Sequence, residues 1–167
     1  MLTAMAVSPE IRLATRADAP AIARMSRDLI ECGLGWSWTV PRVLRSIADA
    51  QTNAVVLPAA GRVLTGFGIM KYLDDEAHLL LLAVHPAQQR RGTGSALVAW
   101  LEASAQVAGI GQIYLEARVS NLAARAFYRH LGYQEIQRLE GYYSGREASV
   151  RLARDLRVQP PMPGPVR

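Results

Sequence analysis

One stretch limits what this chain can become more than any other. Residues 79–84, Leu-Leu-Leu-Leu-Ala-Val, form an unbroken apolar run of the length and kind that suits a strand buried on both faces. Pro86 follows and ends it, because proline has no N–H to give to a ladder. Gln89, Arg90, Arg91, Gly92, Thr93 and Gly94 make a short polar connection, after which apolar residues recur at Leu97, Trp100, Leu101 and Val107 with amphipathic helical spacing. The unit is a strand, a glycine-bearing loop and a helix, in that order.

Such a unit is an anion site. The first amides of a helix have no intrahelical partner, and the helix dipole adds partial positive charge there, so main-chain N–H groups can hold a phosphate. Gly92 and Gly94 allow close approach of the backbone, Arg90 and Arg91 add charge, and Thr93 and Ser95 add hydroxyl donors. A pyrophosphate fits this description. The four-residue gap and lysine of a P-loop are missing, and so is the third glycine of a dinucleotide fingerprint.

The spacing Gln89-x-x-Gly92-x-Gly94 behind a buried strand resembles the acyl-coenzyme A signature of the GCN5-related N-acetyltransferase (GNAT) family. The resemblance implies that the main chain of Leu82, Ala83 and Val84 pairs with the pantetheine arm as an added strand, with an amide near Val84 facing the thioester oxygen. It also implies a diphosphate over Arg90, Arg91, Gly92, Thr93, Gly94 and Ser95, with Gln89 also on the cofactor side and acetyl-coenzyme A (acetyl-CoA) as cosubstrate.

The rest of the chain supplies a single domain. At 167 residues it can bury about two thirds of its unfolded surface, and half of it is hydrophobic. No apolar run approaches the roughly 20 residues that cross a bilayer. Residues 1–9 lack the charged lead-in and long apolar block of a secretory signal, so a cytoplasmic home is expected, with no membrane partner. Cys32 has no partner for a disulfide and reads as a small buried or half-buried hydrophobe. The net charge is +5, carried by arginines apart from Lys71. No run of five like charges occurs, so an acidic ligand such as a nucleotide phosphate is favoured over nucleic acid. No His, Cys or carboxylate cluster has metal spacing, and no metal is expected.

Periodicity and turn residues predict strands at 11–14, 54–57, 62–72, 79–84, 112–118, 133–139 and 148–153, with helices at 15–30, 41–50 and 121–131 and a long one after Gly94 that carries Leu97 to Val107 and is stopped by Gly109 and Gly111. This is an α/β (α+β) chain of about seven strands and four helices. The resemblance implies one mixed, mostly antiparallel sheet with splayed central strands. Gly66 and Gly68 point to a bulge or a close approach within their strand. The segment 32–38, with two glycines and two tryptophans, is either a lid with aromatic walls or a loop whose tryptophans plug the core edge; Trp36 is the candidate for acceptor binding. The domain is expected over 1–157, with a proline-rich flexible tail at 158–167.

A second set of residues carries the chemistry. Ile113, Leu115 and Ala117 point one way along their strand, and Tyr114, Glu116 and Arg118 the other. Asn121 starts the next helix, as an N-cap, a cofactor-side contact or both, and Phe127-Tyr128 lies near its end. The Leu-Glu-Ala-Arg-Val-Ser-Asn and Phe-Tyr motifs look most like the ribosomal-protein alanine N-acetyltransferase branch, which acetylates protein N-termini. Tyr142 and Tyr143, followed by Glu147-Ala148, match that branch's acceptor side, while Ser149 and Arg151 depart from its acidic pair.

Transfer of an acyl group requires a neutral amine, donors for the developing oxyanion and a proton for the departing thiolate. An α-amine with a pKa of ~7.7–8.0 is partly neutral at physiological pH, whereas a lysine near ~10.4 needs far more help. Glu116 can draw off the proton, directly or through water, if burial raises its pKa, and Tyr128 can donate to sulfur. Against those roles, Glu116 could simply pair with Arg118 or Arg138, and Tyr128 could be a core-margin tyrosine. His85 and His130 read as surface residues. The expected partners are acetyl-CoA and an amine acceptor, either a protein N-terminus or a small molecule, with the chain a monomer or homodimer. An acyl-CoA-binding module without turnover is the alternative from another class.

Overall fold

The computed structural model describes residues 10–61, 63–143 and 147–158, without the side chains of Tyr142 and Tyr143. Residues 1–9 and nearly all of the expected tail lie outside the described residues. Seven strands form one sheet: β1 (Arg12–Leu13), β2 (Thr52–Pro58), β3 (Leu64–Tyr72), β4 (Glu76–Val84), β5 (Gln112–Arg118), β6 (Gln134–Tyr143) and β7 (Glu147–Asp155). Their order is β1-β2-β3-β4-β5-β7-β6, antiparallel throughout except for the parallel β4–β5 pair. Among the described residues four α-helices accompany them: α1 (Ala19–Met25), α2 (Val40–Ala48), α3 (Thr93–Val107) and α4 (Leu122–His130).

Alternation along the strands divides the core in two. Met70, Leu79, Ile113, Leu115 and Leu152 meet Leu97, Val98 and Leu101 of α3. Phe67, Ile69, Leu81 and Ala83 meet Ile22 and Ala23 of α1 and Val43 of α2. Each fully buried aliphatic or aromatic side chain of this kind contributes ~1.5–3 kcal/mol. The expected close approach at Gly66 and Gly68 is real: a Cβ on Gly66 would stand 2.9 Å from Ala83 O and 3.0 Å from Leu97 Cδ1, and one on Gly68 would stand 3.0 Å from Leu101 Cδ1. α3 therefore sits directly on β3.

β4 organises the functional end. It pairs with β5 only at Glu76↔Gln112, Ala77↔Ile113 and His78↔Tyr114. Two residues later the register with β3 shifts, from Met70↔Leu79 to Ile69↔Leu81, leaving Leu80 as an extra residue. A bulge adds bend and twist. It also resets the alternation, so Leu80 and Leu81 both turn toward the α1 side while Leu82 and Val84 turn toward α3. Beyond His78 the two strands part.

Three local expectations need correction. The helix predicted to Ile30 leaves α-geometry at Ser26 and finishes as a π-helical turn over Ser26–Ile30, closed by Glu31 N–H to Ser26 O at 2.8 Å. Widening the turn takes Leu29 off the buried stripe, and it is 37% exposed. The connection predicted from residue 140 is shorter, because an irregularity between Leu139 and Tyr143 lets β6 continue to Tyr143, opposite Glu147. Cys32 is exposed, in a loop whose anchor is its carbonyl, which accepts from Arg118 Nη2 at 3.1 Å.

Candidate functional site

Where β4 and β5 separate, a cleft of about 420 Å³ opens between the two core faces. His78 and residues 79–82 form one wall and Leu115, Glu116, Ala117 and Arg118 the other; Ile30, Glu31 and Trp38 close one side, Asn121 and Tyr128 the opposite side. The β5-facing edge of β4 beyond His78 has no strand partner among the described residues. It is a row of main-chain donors and acceptors available to an extended ligand.

At the far end of β4 lies the loop singled out in the sequence. After a 3₁₀ turn at Pro86–Gln88, Arg90 and Gly92 adopt left-handed backbone, with φ 62° and 79°. Gly92 caps α3, and the first intrahelical bond is Ala96 N–H to Gly92 O at 2.9 Å. The amides of Thr93, Gly94 and Ser95 thus head the helix with no partner inside it. Arg90 and Arg91 are exposed beside them, and Gln89 Nε2 donates to Val84 O at 3.1 Å, folding the loop back on the strand. Gly94 has a structural duty as well: a Cβ there would stand 3.2 Å from Phe127 Cζ and 3.7 Å from Val84 Cγ2. The helix start, the strand end and α4 meet at that point. The residues present fit a diphosphate at the helix start and an extended arm along β4.

Glu116 stands at the cleft floor with a side chain 4% exposed. Register explains its neighbours. Tyr114 and Glu116 share a face of β5, His78 is Tyr114's partner on β4, and Arg151 is Glu116's partner on β7. Glu116 Oε2 lies 2.5 Å from His78 Nε2, and Oε1 accepts from Arg151 Nε and Nη2 at 3.1 and 2.8 Å. Burial pushes the Glu116 carboxyl up, but the hydrogen bonds from His78 and Arg151, with the Arg151 charge, more than offset it and hold the group below the ordinary carboxylate range. Glu116 is expected to act as a base if burial raises its pKa; instead His78 and Arg151, neither of which the sequence reading assigns to it, lower it. Burial, with the Glu116 charge second, raises the Tyr114 hydroxyl.

Tyr128 is 8% exposed, edge-to-face with Tyr133 at 5.7 Å, and reaches the cleft from the α3 side. Asn121 caps α4, accepting from Ala124 N–H at 3.1 Å, and also lines the cleft. The tryptophans divide the expected duties. Trp38 is 7% exposed, forms part of the cleft wall and lies under the Arg42 guanidinium at 4.0 Å. Trp36 is 43% exposed and is not brought into the cleft, because its Nε1 is spent on Trp38 O at 3.1 Å. The side chains of Tyr142 and Tyr143 lie outside the described residues.

Glu31 is a participant that sequence reading missed. It is buried, and its carboxylate accepts from Ser26 Oγ, Ser37 N–H and Oγ, and Trp38 N–H. Arg118 Nη2 ties the same segment to β5 through Ile30 O and Cys32 O, at 2.8 and 3.1 Å. Loop 31–38 is therefore a fixed wall. Among the described residues, no group of three or more His, Cys, Asp or Glu side chains is placed to hold a metal ion, and no helix is long and apolar enough to cross a membrane.

A family model described as Acetyltransferase (GNAT) family matches residues 23–133, more than half of the chain. The ribosomal protein bS18-alanine N-acetyltransferase of Escherichia coli K12 is 38% identical over 93 residues, which span 54% of this chain and 63% of that protein. The crystal structure of the E. coli enzyme superposes with TM-score 0.76 at 27% identity, covering 92% of this chain and 97% of that one. An N-alpha-acetyltransferase of Sulfolobus acidocaldarius is 26% identical over 161 residues, 90% of this chain and 94% of its own. Arabidopsis thaliana NAA60, solved in complex with acetyl-CoA, shares the fold, with TM-score 0.75 at 16% identity over 89% of this chain and 99% of that one.

Proposed function

Because the chain belongs to the acetyltransferase (GNAT) family, we propose that it moves an acetyl group from acetyl-CoA to a primary amine by direct attack, the acceptor being a protein or peptide N-terminal α-amine. The observation that carries this reading is the parting of β4 from β5 beyond His78, which leaves a strand edge, unpaired among the described residues, running from the head of α3 to Glu116. A ligand with a diphosphate at one end and an extended arm fits that path. Residues 90–95 hold the diphosphate, the main chain of Leu82, Ala83 and Val84 orients the arm, and Gln89 and Asn121 keep the loop and α4 in register with it. When bound, acetyl-CoA supplies an activated acyl group as a thioester.

The acceptor enters past Trp38 and Glu31, and Tyr142 and Tyr143 are its further candidate contacts from the sequence. Its ammonium must lose a proton before the nitrogen can attack, and the ionised Glu116 supplies the negative charge that favours this step. Tyr128, which lines the cleft, protonates the departing thiolate in this reading. An α-amine, with a pKa of ~7.7–8.0, suits a site whose carboxylate is a weak base. The names of the bS18-alanine and N-alpha relatives support the same acceptor class.

Incubation with acetyl-CoA and a panel of alanine-, serine- and methionine-starting peptides, lysine and small amines, with thiol release and product mass followed, tests the reading. Acetylation of peptide N-termini supports it. Acetylation confined to small amines replaces the acceptor, and tight acetyl-CoA binding without turnover replaces the enzyme with a binding module.

A further inference from the structure

His78 was given no part in the chemistry, yet its place in the sheet is specific. It is the last β4 residue to pair with β5, so it stands at the apex where the strands part and faces the cleft. Its ring stacks on Tyr114 at 4.3 Å and 21°, and Arg151 lies over the same tyrosine ring at 5.0 Å. Nε2 is 2.5 Å from Glu116 Oε2. An ionised carboxylate has nothing to donate, and Arg151 on the other oxygen keeps Glu116 ionised. The bridging proton therefore belongs to Nε2, so that in the neutral form of the ring the lone pair is on Nδ1.

We propose that His78 accepts the proton of the incoming ammonium through Nδ1, and that Glu116 is its positioning partner and not the base itself. The inference rests on the acetyl-transfer reading above. One ammonium proton passes to Nδ1, directly or through one water, and the imidazolium is stabilised by Glu116. The freed lone pair forms the C–N bond as the C–S bond breaks, and a second nitrogen proton is matched by the proton that Tyr128 delivers to the thiolate. Release of a proton from His78 to solvent and one from nitrogen to Tyr128 restores the site. The groups around the ring are Tyr114 and Glu116 on β5, Arg151 on β7, Glu76 on its own strand, and Lys71 opposite it on β3, where Lys71 engages Asp49. Glu31, Arg42, Arg118 and Tyr128 complete the cleft.

Rates of wild type and His78→Gln across pH with an alanine-starting peptide test this. At neutral pH the variant loses ~10²-fold or more in kcat. The gap narrows as pH rises past ~7.7–8.0, where solvent itself deprotonates the amine. A loss that stays constant with pH, or no loss, overturns the proposal while leaving the acetyl-transfer reading intact. Absence of turnover by wild type with every amine sinks both. Nitrogen NMR of ring-labelled histidine in ligand-free wild type gives a readout apart from activity. The expected tautomer carries hydrogen on Nε2 and none on Nδ1, and Glu116→Gln alters it. The opposite tautomer overturns the proposal even should His78→Gln fail to fold.

Discussion

Replacing Glu116 with glutamine keeps the side chain's shape and removes its charge. The glutamine oxygen can retain the two Arg151 hydrogen bonds, but its amide nitrogen then presents donors to His78 where the carboxylate accepted. One charge-assisted hydrogen bond, worth ~1.5–3 kcal/mol, is lost. At ~2–4 °C per kcal/mol for a chain of this size, Tm falls by about 3–12 °C. The catalytic loss is larger. A positioned proton-transfer apparatus contributes ~10²–10⁴-fold, so kcat falls by at least about 10²-fold. Acetyl-CoA affinity stays within about twofold of wild type, because Glu116 lies away from the diphosphate loop at residues 90–95. Thiol release, calorimetric titration and differential scanning calorimetry on one preparation measure all three. A kcat within about threefold of wild type, in protein whose Tm has dropped, refutes the reasoning and makes the cluster structural.

Four further outcomes are expected. The Tm advantage of wild type over Glu116→Gln is fully present above the ordinary carboxylate value of ~4.3 and closes as pH falls below it through the lowered folded value, because the folded state holds this proton more weakly than the unfolded chain; a gap that widens in acid contradicts the ion pairing. Tyr128→Phe keeps the ring packing and folds within ~1 kcal/mol of wild type, but lowers kcat at unchanged acetyl-CoA affinity; unaltered kcat removes Tyr128 from the chemistry. Gly66→Ala forces a methyl against Ala83 O and Leu97 and costs ~1–3 kcal/mol in denaturant unfolding; a neutral result means that α3 can lift from β3. Gly94→Trp drives a ring into Phe127 and the space above the helix start, abolishing acetyl-CoA binding in titration calorimetry; unchanged affinity counts against the loop as the diphosphate site.

Periodicity exposed what depends on local pattern. The run at 79–84, the alternation at 112–118 and the glycines closing α3 and α4 located strands and helices because each element's own side chains record which face is buried. The family motifs added the sheet's splay, which no periodicity carries. What stayed hidden arises between elements. His78 lies just before the apolar run at 79–84, and its partner Glu116 is 38 residues away, joined to it by a parallel register that neither segment encodes alone. Arg151 was noticed as a departure from a motif, but its pairing with Glu116 required the order β5-β7-β6 to be known. The bulge at Leu80 lies inside four consecutive leucines, where a slip of one residue leaves no mark on the hydrophobic pattern. Glu31 works through an irregular loop, whose hydrogen bonds follow no period.

Acetyl transfer at this site depends on the head of α3 gripping a diphosphate and thereby aiming an acyl arm along the edge of β4 beyond His78. Titration calorimetry of the purified, folded protein against acetyl-CoA and against S-acetylpantetheine, which has the arm without the diphosphate, measures this directly. Saturable one-to-one binding of acetyl-CoA, with affinity at least about 10²-fold weaker for the truncated thioester, is the predicted result. Equal affinity for the two, or no binding of acetyl-CoA at all, contradicts it.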